Sequence, residues 1–103
     1  MSYSQDAKDV WINDLAICES RNRDVTILDS NNKYSYGPLQ FQMSTWLSYG
    51  KPFGATKANI HDTMLQHQVA RSMLDAGLQY NWKTCAAKVK KMYGTYPSGQ
   101  DSS

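Results

Sequence analysis

Apolar residues recur at helical spacing in three long stretches of the chain. Residues 5–19 carry apolar side chains around most of the helix circumference, which indicates a largely buried first helix. Residues 60–76 carry two apolar stripes, as expected of a helix packed between two neighbours. Residues 82–93 carry one stripe about 120° wide, which is typical of a face turned toward a core. Ser2 or Ser4 is predicted to cap the first helix.

The pattern changes between the first two helices. Residues 25–36 contain two short β-prone runs around a turn-rich cluster, which predicts a small hairpin. Pro38 is then predicted to open a helical turn over residues 39–41. Ser44 is predicted to cap a short helix over residues 45–49. The chain is therefore predicted to be α+β and mainly α, with a short β-hairpin after the first helix.

Length and composition fit one globular domain. The chain has 103 residues, of which 41% are hydrophobic and 19% charged. We assign residues 1–94 to the domain and predict a flexible tail over residues 95–103, which end in the polar run 97–103. The net charge of +2 is too small to predict nucleic-acid binding. No run approaches the roughly 20 apolar residues of a membrane span. The N-terminus lacks the pattern of a signal peptide, so an exported domain would be trimmed from a longer protein or use another route.

Glu19 is the single glutamate, beside eight aspartates. It falls within the apolar arc of the first helix, at the end where the helix dipole is negative. Burial and this dipole both disfavour a carboxylate and raise its pKa. A carboxylic acid that stays protonated near neutral pH can protonate the leaving oxygen in glycoside cleavage. By position alone, a solvated carboxylate without a chemical role remains the alternative.

A second candidate region lies in the segment from Tyr34 to Gln42. Gly37 has no side chain, so a ligand could approach the backbone closely there. Gln40 offers a donor and an acceptor for sugar hydroxyls or an acetamido group. Aromatic rings in and after the segment could supply stacking faces. These rings belong to Tyr34, Tyr36 and Trp46. A packed turn with core aromatics explains the same composition.

Four segments, in order and spacing, resemble the lysozyme superfamily, in particular the lytic transglycosylases and the resuscitation-promoting factors of bacteria. They are Cys18-Glu19-Ser20, Tyr36-Gly37-Pro38-Leu39-Gln40-Phe41, Ser44-Thr45-Trp46 and Trp82-Lys83-Thr84-Cys85-Ala86-Ala87. The resemblance extends from about Trp11 to Val89. It implies a small lysozyme-like domain with two lobes and a cleft between them.

The resemblance also implies roles for individual residues. Glu19 corresponds to the catalytic acid of the family. Cys18 and Cys85 correspond to the disulfide of the resuscitation-promoting factors, which would close a 68-residue loop and stabilise the fold by about 4 kcal/mol. Two buried free thiols are the alternative. The expected saccharide-binding residues are Ser35, Tyr36, Gly37, Gln40 and Trp46.

The resemblance does not identify which residue would supply a second catalytic carboxylate. Animal-type lysozymes commonly have an aspartate directly before the Tyr-Gly pair, and Ser35 occupies that place here. Asp29 and Asp24, in or beside the hairpin, are the remaining candidates, although Asp29 could simply initiate a turn. Retaining glycosidases need the second carboxylate about 5 Å from the acid, and inverting ones about 6.5–9.5 Å away. If neither aspartate serves, the transglycosylase route needs only Glu19, because the C6 hydroxyl of the muramic sugar attacks.

We therefore expect a muramidase that cleaves the β-1,4 bond between N-acetylmuramic acid and N-acetylglucosamine, with a lytic transglycosylase favoured over a lysozyme. The expected partner is the glycan strand of peptidoglycan, with no nucleic acid, and the protein is expected to be monomeric. The expected location is extracellular, periplasmic, in the cell wall or associated with a phage.

No cofactor or metal is expected, since His61 and His67 lie about 240° apart around a helix. The alternatives are a catalytically silent glycan-binding domain that retains the cleft and a helical interaction module.

Overall fold

The computed structural model describes residues 7–97. The predicted fold class is confirmed: the chain is α+β and mainly helical. The helices are α1 (Ala7–Ser20), α2 (Met43–Tyr49), α3 (Thr63–Asp75) and α4 (Lys83–Tyr93), the strands are β1 (Thr26–Leu28), β2 (Tyr34–Tyr36) and β3 (Phe41–Gln42), and two 3-10 turns cover Lys51–Phe53 and Gln79–Trp82. The predicted caps Ser2 and Ser4 lie outside the described residues. Within those residues, no helix combines the length and apolar character needed to cross a bilayer.

The three strands form one antiparallel sheet in the order β1-β2-β3. The predicted hairpin is confirmed, with Ile27 opposite Ser35. The helical turn predicted over 39–41 is wrong, because Phe41 joins β3 and pairs with Tyr36. Helix α2 consequently begins at Met43, and the capping role predicted for Ser44 is also wrong.

Helix α1 lies at the centre of the fold and packs against both α3 and α4. This explains why apolar residues cover most of its circumference. The single stripe predicted for α4 is buried in its first half, whereas Met92 and Tyr93 at its end are 63% and 59% exposed. The largest buried core side chains include Ile12, Leu15, Leu39, Phe41, Trp46, Val69, Met73, Leu74, Trp82 and Val89.

A disulfide joins Cys18 of α1 to Cys85 of α4, with 5.6 Å between the two Cα atoms. The pairing that the resemblance implied is therefore confirmed. The bond fixes the C-terminal end of α1, where Glu19 lies, to the first turn of α4. No free cysteine remains in the described chain.

The folded domain extends past the predicted boundary at residue 94. Tyr96 is only 4% exposed and packs edge-to-face on Trp11, with 5.5 Å between ring centroids. Its hydroxyl donates a hydrogen bond to Asp75 over 2.9 Å. The prediction of a flexible tail from residue 95 is therefore wrong at Tyr96, because the ring completes the core beside α1. Residues 98–103 lie outside the described part of the chain.

Candidate active site

An open cleft of about 290 Å³ lies where the C-terminal end of α1 meets the sheet and the Gln79–Trp82 turn. Its wall is largely polar, as expected of a surface that binds a hydrated ligand. The residues that line it are Glu19, Asp29, Ser35, Gln40, Phe41, Gln42, Thr45, Asn81 and Trp82.

Glu19 is half-buried in the last turn of α1. Burial raises the pKa of its carboxyl from 4.5 to about 7, and the nearby Asp29 carboxylate adds to the rise. The next residue, Ser20, is buried, and its hydroxyl donates a hydrogen bond to the Pro38 carbonyl over 2.8 Å. This bond joins the end of α1 to the loop that precedes β3. Glu19 therefore stays partly protonated near neutral pH at a fixed place on the cleft wall.

Asp29 follows β1 and reaches the same cleft. Its Oδ2 atom accepts hydrogen bonds from the Ser35 hydroxyl and from Nε2 of Gln42, the latter over 2.9 Å. Its backbone N–H donates to the Lys33 carbonyl over 2.8 Å and closes the hairpin turn. Asp29 thus lies at the start of the turn, and its carboxylate lines the same cleft as Glu19. The two donors fix the orientation of its carboxylate.

Asp24, the other candidate carboxylate, does not line the cleft. Its Oδ1 atom lies 2.6 Å from Nδ1 of His61, which precedes α3. Both side chains are nearly half exposed. The structure therefore brings Asp29, and not Asp24, together with Glu19.

Gln40 lines the cleft, as the resemblance implied. Its backbone has a φ of +54°, in the left-handed region. Its Nε2 atom donates to the carbonyls of Val25 and Gly37 over 3.1 and 2.9 Å. Because both amide hydrogens are used in this way, the side-chain oxygen is the part that can accept a hydrogen bond from a ligand.

Gly37 is buried, and its environment differs from the one expected. A Cβ atom built on it would lie 2.7 Å from Cδ of Gln66. The space beside the backbone is therefore filled by a core side chain, and the expected approach of a ligand to Gly37 is wrong. The glycine is required by this packing and by its φ of +77°.

Two expected aromatic platforms lie away from the cleft. Trp46 has no exposed surface, and its indole N–H donates to the Thr56 carbonyl over 2.9 Å. The predicted stacking of Trp46 on a saccharide is therefore wrong. Tyr36 lies on the face of β2 opposite to Ser35, because successive side chains alternate along a strand. Its ring packs edge-to-face on His61 at 5.7 Å, which excludes it from the cleft lining.

Several cleft residues were not singled out from the sequence. Gln42 holds Asp29, and Asn81 and Trp82 form the wall contributed by the second 3-10 turn. Recognition of β3 would have identified Gln42, since alternation places it on the face opposite to the buried Phe41. Asn81 carries no comparable signal, because its place depends on how the turn packs against the sheet.

Within residues 7–97, no group of three or more histidine, cysteine, aspartate or glutamate side chains is placed to hold a metal ion. The chemistry that the described residues can offer is that of the Glu19 acid, the Asp29 carboxylate and the amide groups around them. Comparison with family models, curated proteins and solved structures finds no match to this chain.

Proposed function

We propose that this protein cleaves the glycan strands of peptidoglycan, at the β-1,4 bond between N-acetylmuramic acid and N-acetylglucosamine. Glu19 is the general acid and later the base. The observation that carries the proposal is the pair formed by Glu19 and Asp29 on one cleft wall, in two different environments. The choice of peptidoglycan rests on the resemblance of four segments to the lysozyme superfamily.

The environments of the two carboxyl groups suit different roles in glycoside cleavage. Glu19 has a pKa of about 7 because it is half-buried, so a large fraction of it carries a proton at neutral pH. It can therefore protonate the glycosidic oxygen as the bond breaks. Asp29 is oriented by Ser35 and Gln42 and can stabilise the positive charge that develops on the sugar ring. Gln40 offers its carbonyl oxygen to a sugar hydroxyl or an acetamido N–H.

The second step of the reaction has two candidate routes. The resemblance favours the transglycosylase route, in which the C6 hydroxyl of the muramic sugar attacks and Glu19 accepts its proton. The presence of Asp29 in the cleft favours a second candidate, hydrolysis, because a second carboxylate can support attack by water. Mass spectrometry of the released muropeptides distinguishes them, since products with a 1,6-anhydro end are lighter by one water. Predominantly reducing-end products would exclude the transglycosylase route.

Replacement of the acid tests the proposal itself. We expect Glu19→Gln to lower the rate of peptidoglycan solubilisation by about 10²–10⁴-fold, because general acid catalysis contributes that much. Asp14→Asn, on the same helix but outside the cleft lining, is the matched control and should retain activity. Equal clearing of a peptidoglycan suspension by the parent and the Glu19 variant would refute the mechanism. If neither protein cleaves but both bind glycan, the chain is a silent binding domain.

A further inference from the structure

The outer face of α4 is strongly basic. Between Lys83 and Tyr93 the helix contains four lysines and no carboxylate. The whole chain has a net charge of only +2, so positive charge is concentrated on this one helix. The four lysines are Lys83, Lys88, Lys90 and Lys91.

Two of these lysines border a groove of about 270 Å³ that is separate from the candidate active site. Ala86 and Ala87 lie between Lys83 and Lys90 on the helix, and their short side chains leave the groove open. The remaining lining is mainly aromatic and apolar. We call this surface the lysine groove, and it is completed by Trp11, Gln79, Tyr80, Thr95 and Tyr96.

The spacing of the two lysines restricts what can bind. Lys83 and Lys90 are seven residues apart, which is about 10.5 Å along the axis and within about 20° of the same helix face. The groove therefore presents two ammonium groups along its length, one near each end of the two-alanine floor. A chain that repeats its negative charges can contact both, while the apolar floor between the lysines accepts the carbon atoms that link them.

Among residues 7–97, no carboxylate lines the lysine groove. Asp75 accepts a hydrogen bond from Tyr96, a lining residue, but its Oδ1 atom is also 3.1 Å from Nζ of Lys8. The charge of this carboxylate is therefore balanced by Lys8, which does not line the groove. The electrostatic preference of the groove is for an anion.

The lysine groove borders the candidate active site through one short segment. In the Gln79–Trp82 turn, Gln79 and Tyr80 line the groove, whereas Asn81 and Trp82 line the cleft. The groove and the cleft are therefore separate surfaces that share this one turn. This separation allows binding in the groove to be measured without any cleavage.

We propose that the lysine groove binds a linear phosphodiester polymer with small, flexible linking units, of the poly(glycerol phosphate) type. Lysine binds phosphate as a point charge, and the two lysines together select for repeated phosphates. A polymer of small units fits the narrow floor formed by the two alanines.

The test measures the affinity of the purified protein for a labelled poly(glycerol phosphate) oligomer by fluorescence anisotropy at several salt concentrations. The double variant Lys83→Gln/Lys90→Gln should lose at least about tenfold in affinity at low salt, and the slope of log K against log salt should fall by roughly 1–2. Lys88→Gln/Lys91→Gln removes the same charge outside the groove and should change the affinity by less than about twofold. Ala87→Leu fills the floor without altering charge and should also weaken binding.

Three comparisons can overturn the proposal. Equal losses from the two double lysine variants would mean that diffuse attraction to α4, and not the groove, binds the polymer. Undiminished binding by Ala87→Leu would mean that the floor is not used. Tighter binding to phosphatidylglycerol vesicles or to an oligothymidylate of equal charge would identify a membrane or a nucleic acid as the better partner. Thermal unfolding of each variant checks that the fold is retained, and the result is independent of whether Glu19 cleaves glycan.

Discussion

Burial of the Glu19 carboxyl raises its pKa, and it also lowers the stability of the folded protein at neutral pH. The folded protein holds the proton of Glu19 up to a pKa of about 7, whereas the unfolded chain releases it near 4.5. The folded state therefore binds this proton more tightly than the unfolded state does. The contribution of Glu19 to stability is fully present below pH 4.5 and is lost as the pH rises to about 7.

This linkage predicts the effect of Glu19→Gln on stability. Glutamine has no charge to desolvate, so above pH 7 the variant should be more stable than the parent by about 1–2 kcal/mol, a figure reduced for solvent screening of a half-exposed group. At pH 4 the two proteins should differ little. Urea unfolding of both proteins at pH 4 and pH 8 measures this. An equal difference at the two pH values would show that the proton on Glu19 is not responsible.

Gly37 supports a prediction about packing at a single residue. Gly37→Ala would force a Cβ atom into the buried Gln66 side chain and would add strain at a φ of +77°. We expect the free energy of unfolding to fall by about 2–4 kcal/mol. Gly54→Ala is the matched control, because its φ is +82° but nothing lies within 4 Å of the added atom. The control should lose only about 1 kcal/mol.

If chemical denaturation gave equal losses for the two glycine variants, backbone strain alone would account for both. The two glycine variants thus separate backbone strain from steric crowding.

The same distinction explains why the predicted approach of a ligand to Gly37 is wrong. The residue type marks Gly37 as special, but only the position of the Gln66 side chain shows the reason. Likewise, Trp46 can be recognised from the sequence as aromatic but not as wholly buried, because its burial depends on how distant elements pack around it. Glu19 and Gln40, from the same resemblance, do line the cleft.

At the scale of elements, the sequence pattern predicts a helix or strand correctly where that element depends on interactions between residues close together in the chain. The hairpin and the first half of α4 follow from strand propensity, turn residues and one apolar stripe. The start of α3 was predicted three residues too early, because Asp62 provides the cap by accepting a hydrogen bond from the Leu65 N–H over 3.0 Å. Met64, an apolar residue of α3, is 83% exposed because no element of residues 7–97 covers that side of the helix.

Strand β3 could not be predicted, since the segment before it is held by a distant residue. Gln66 is fully buried in α3, and its Oε1 atom accepts a hydrogen bond from the Leu39 N–H over 3.0 Å. Its Nε2 atom donates to the carbonyls of Tyr36 and Ile60 over 2.9 and 2.6 Å. One side chain thus binds three backbone groups in two segments that are distant from it in sequence or precede its helix, and it positions the chain that enters β3.

Replacement of Gln66 tests this account. Gln66→Leu keeps most of the volume but removes three buried hydrogen bonds to the backbone, so we expect a loss of about 2–4 kcal/mol in the free energy of unfolding. Gln68→Leu, on the exposed side of the same helix, is the control and should change it by less than about 0.5 kcal/mol. Denaturant unfolding measures both. A loss from the Gln66 variant no larger than the control's would mean that water replaces the three hydrogen bonds.

At the scale of the whole molecule, the ends of the fold are held together around α1. Helix α4 packs on α1, Tyr96 covers Trp11, and the indole N–H of Trp11 donates to the Gly94 carbonyl over 3.0 Å. A chain of this size buries only about 60–70% of its unfolded surface, so its core alone gives a narrow margin of stability. The covalent bond between Cys18 and Cys85 therefore carries a large share of the total stability.

The disulfide closes a loop across a sequence separation of 67 residues. On the loop-entropy argument it stabilises the fold by about 4 kcal/mol, which corresponds to roughly 15–30 °C in the melting temperature of a domain this small. Reduction of the native protein should lower the melting temperature by that amount, because it frees the unfolded chain without deleting any core atom. The variant Cys18→Ala/Cys85→Ala should melt at or below the temperature of the reduced protein, and added reductant should not affect it. Calorimetry of the oxidised and the reduced protein measures these shifts. A decrease of only a few degrees on reduction would mean that the packing of α1 against α4 alone holds the ends of the fold together.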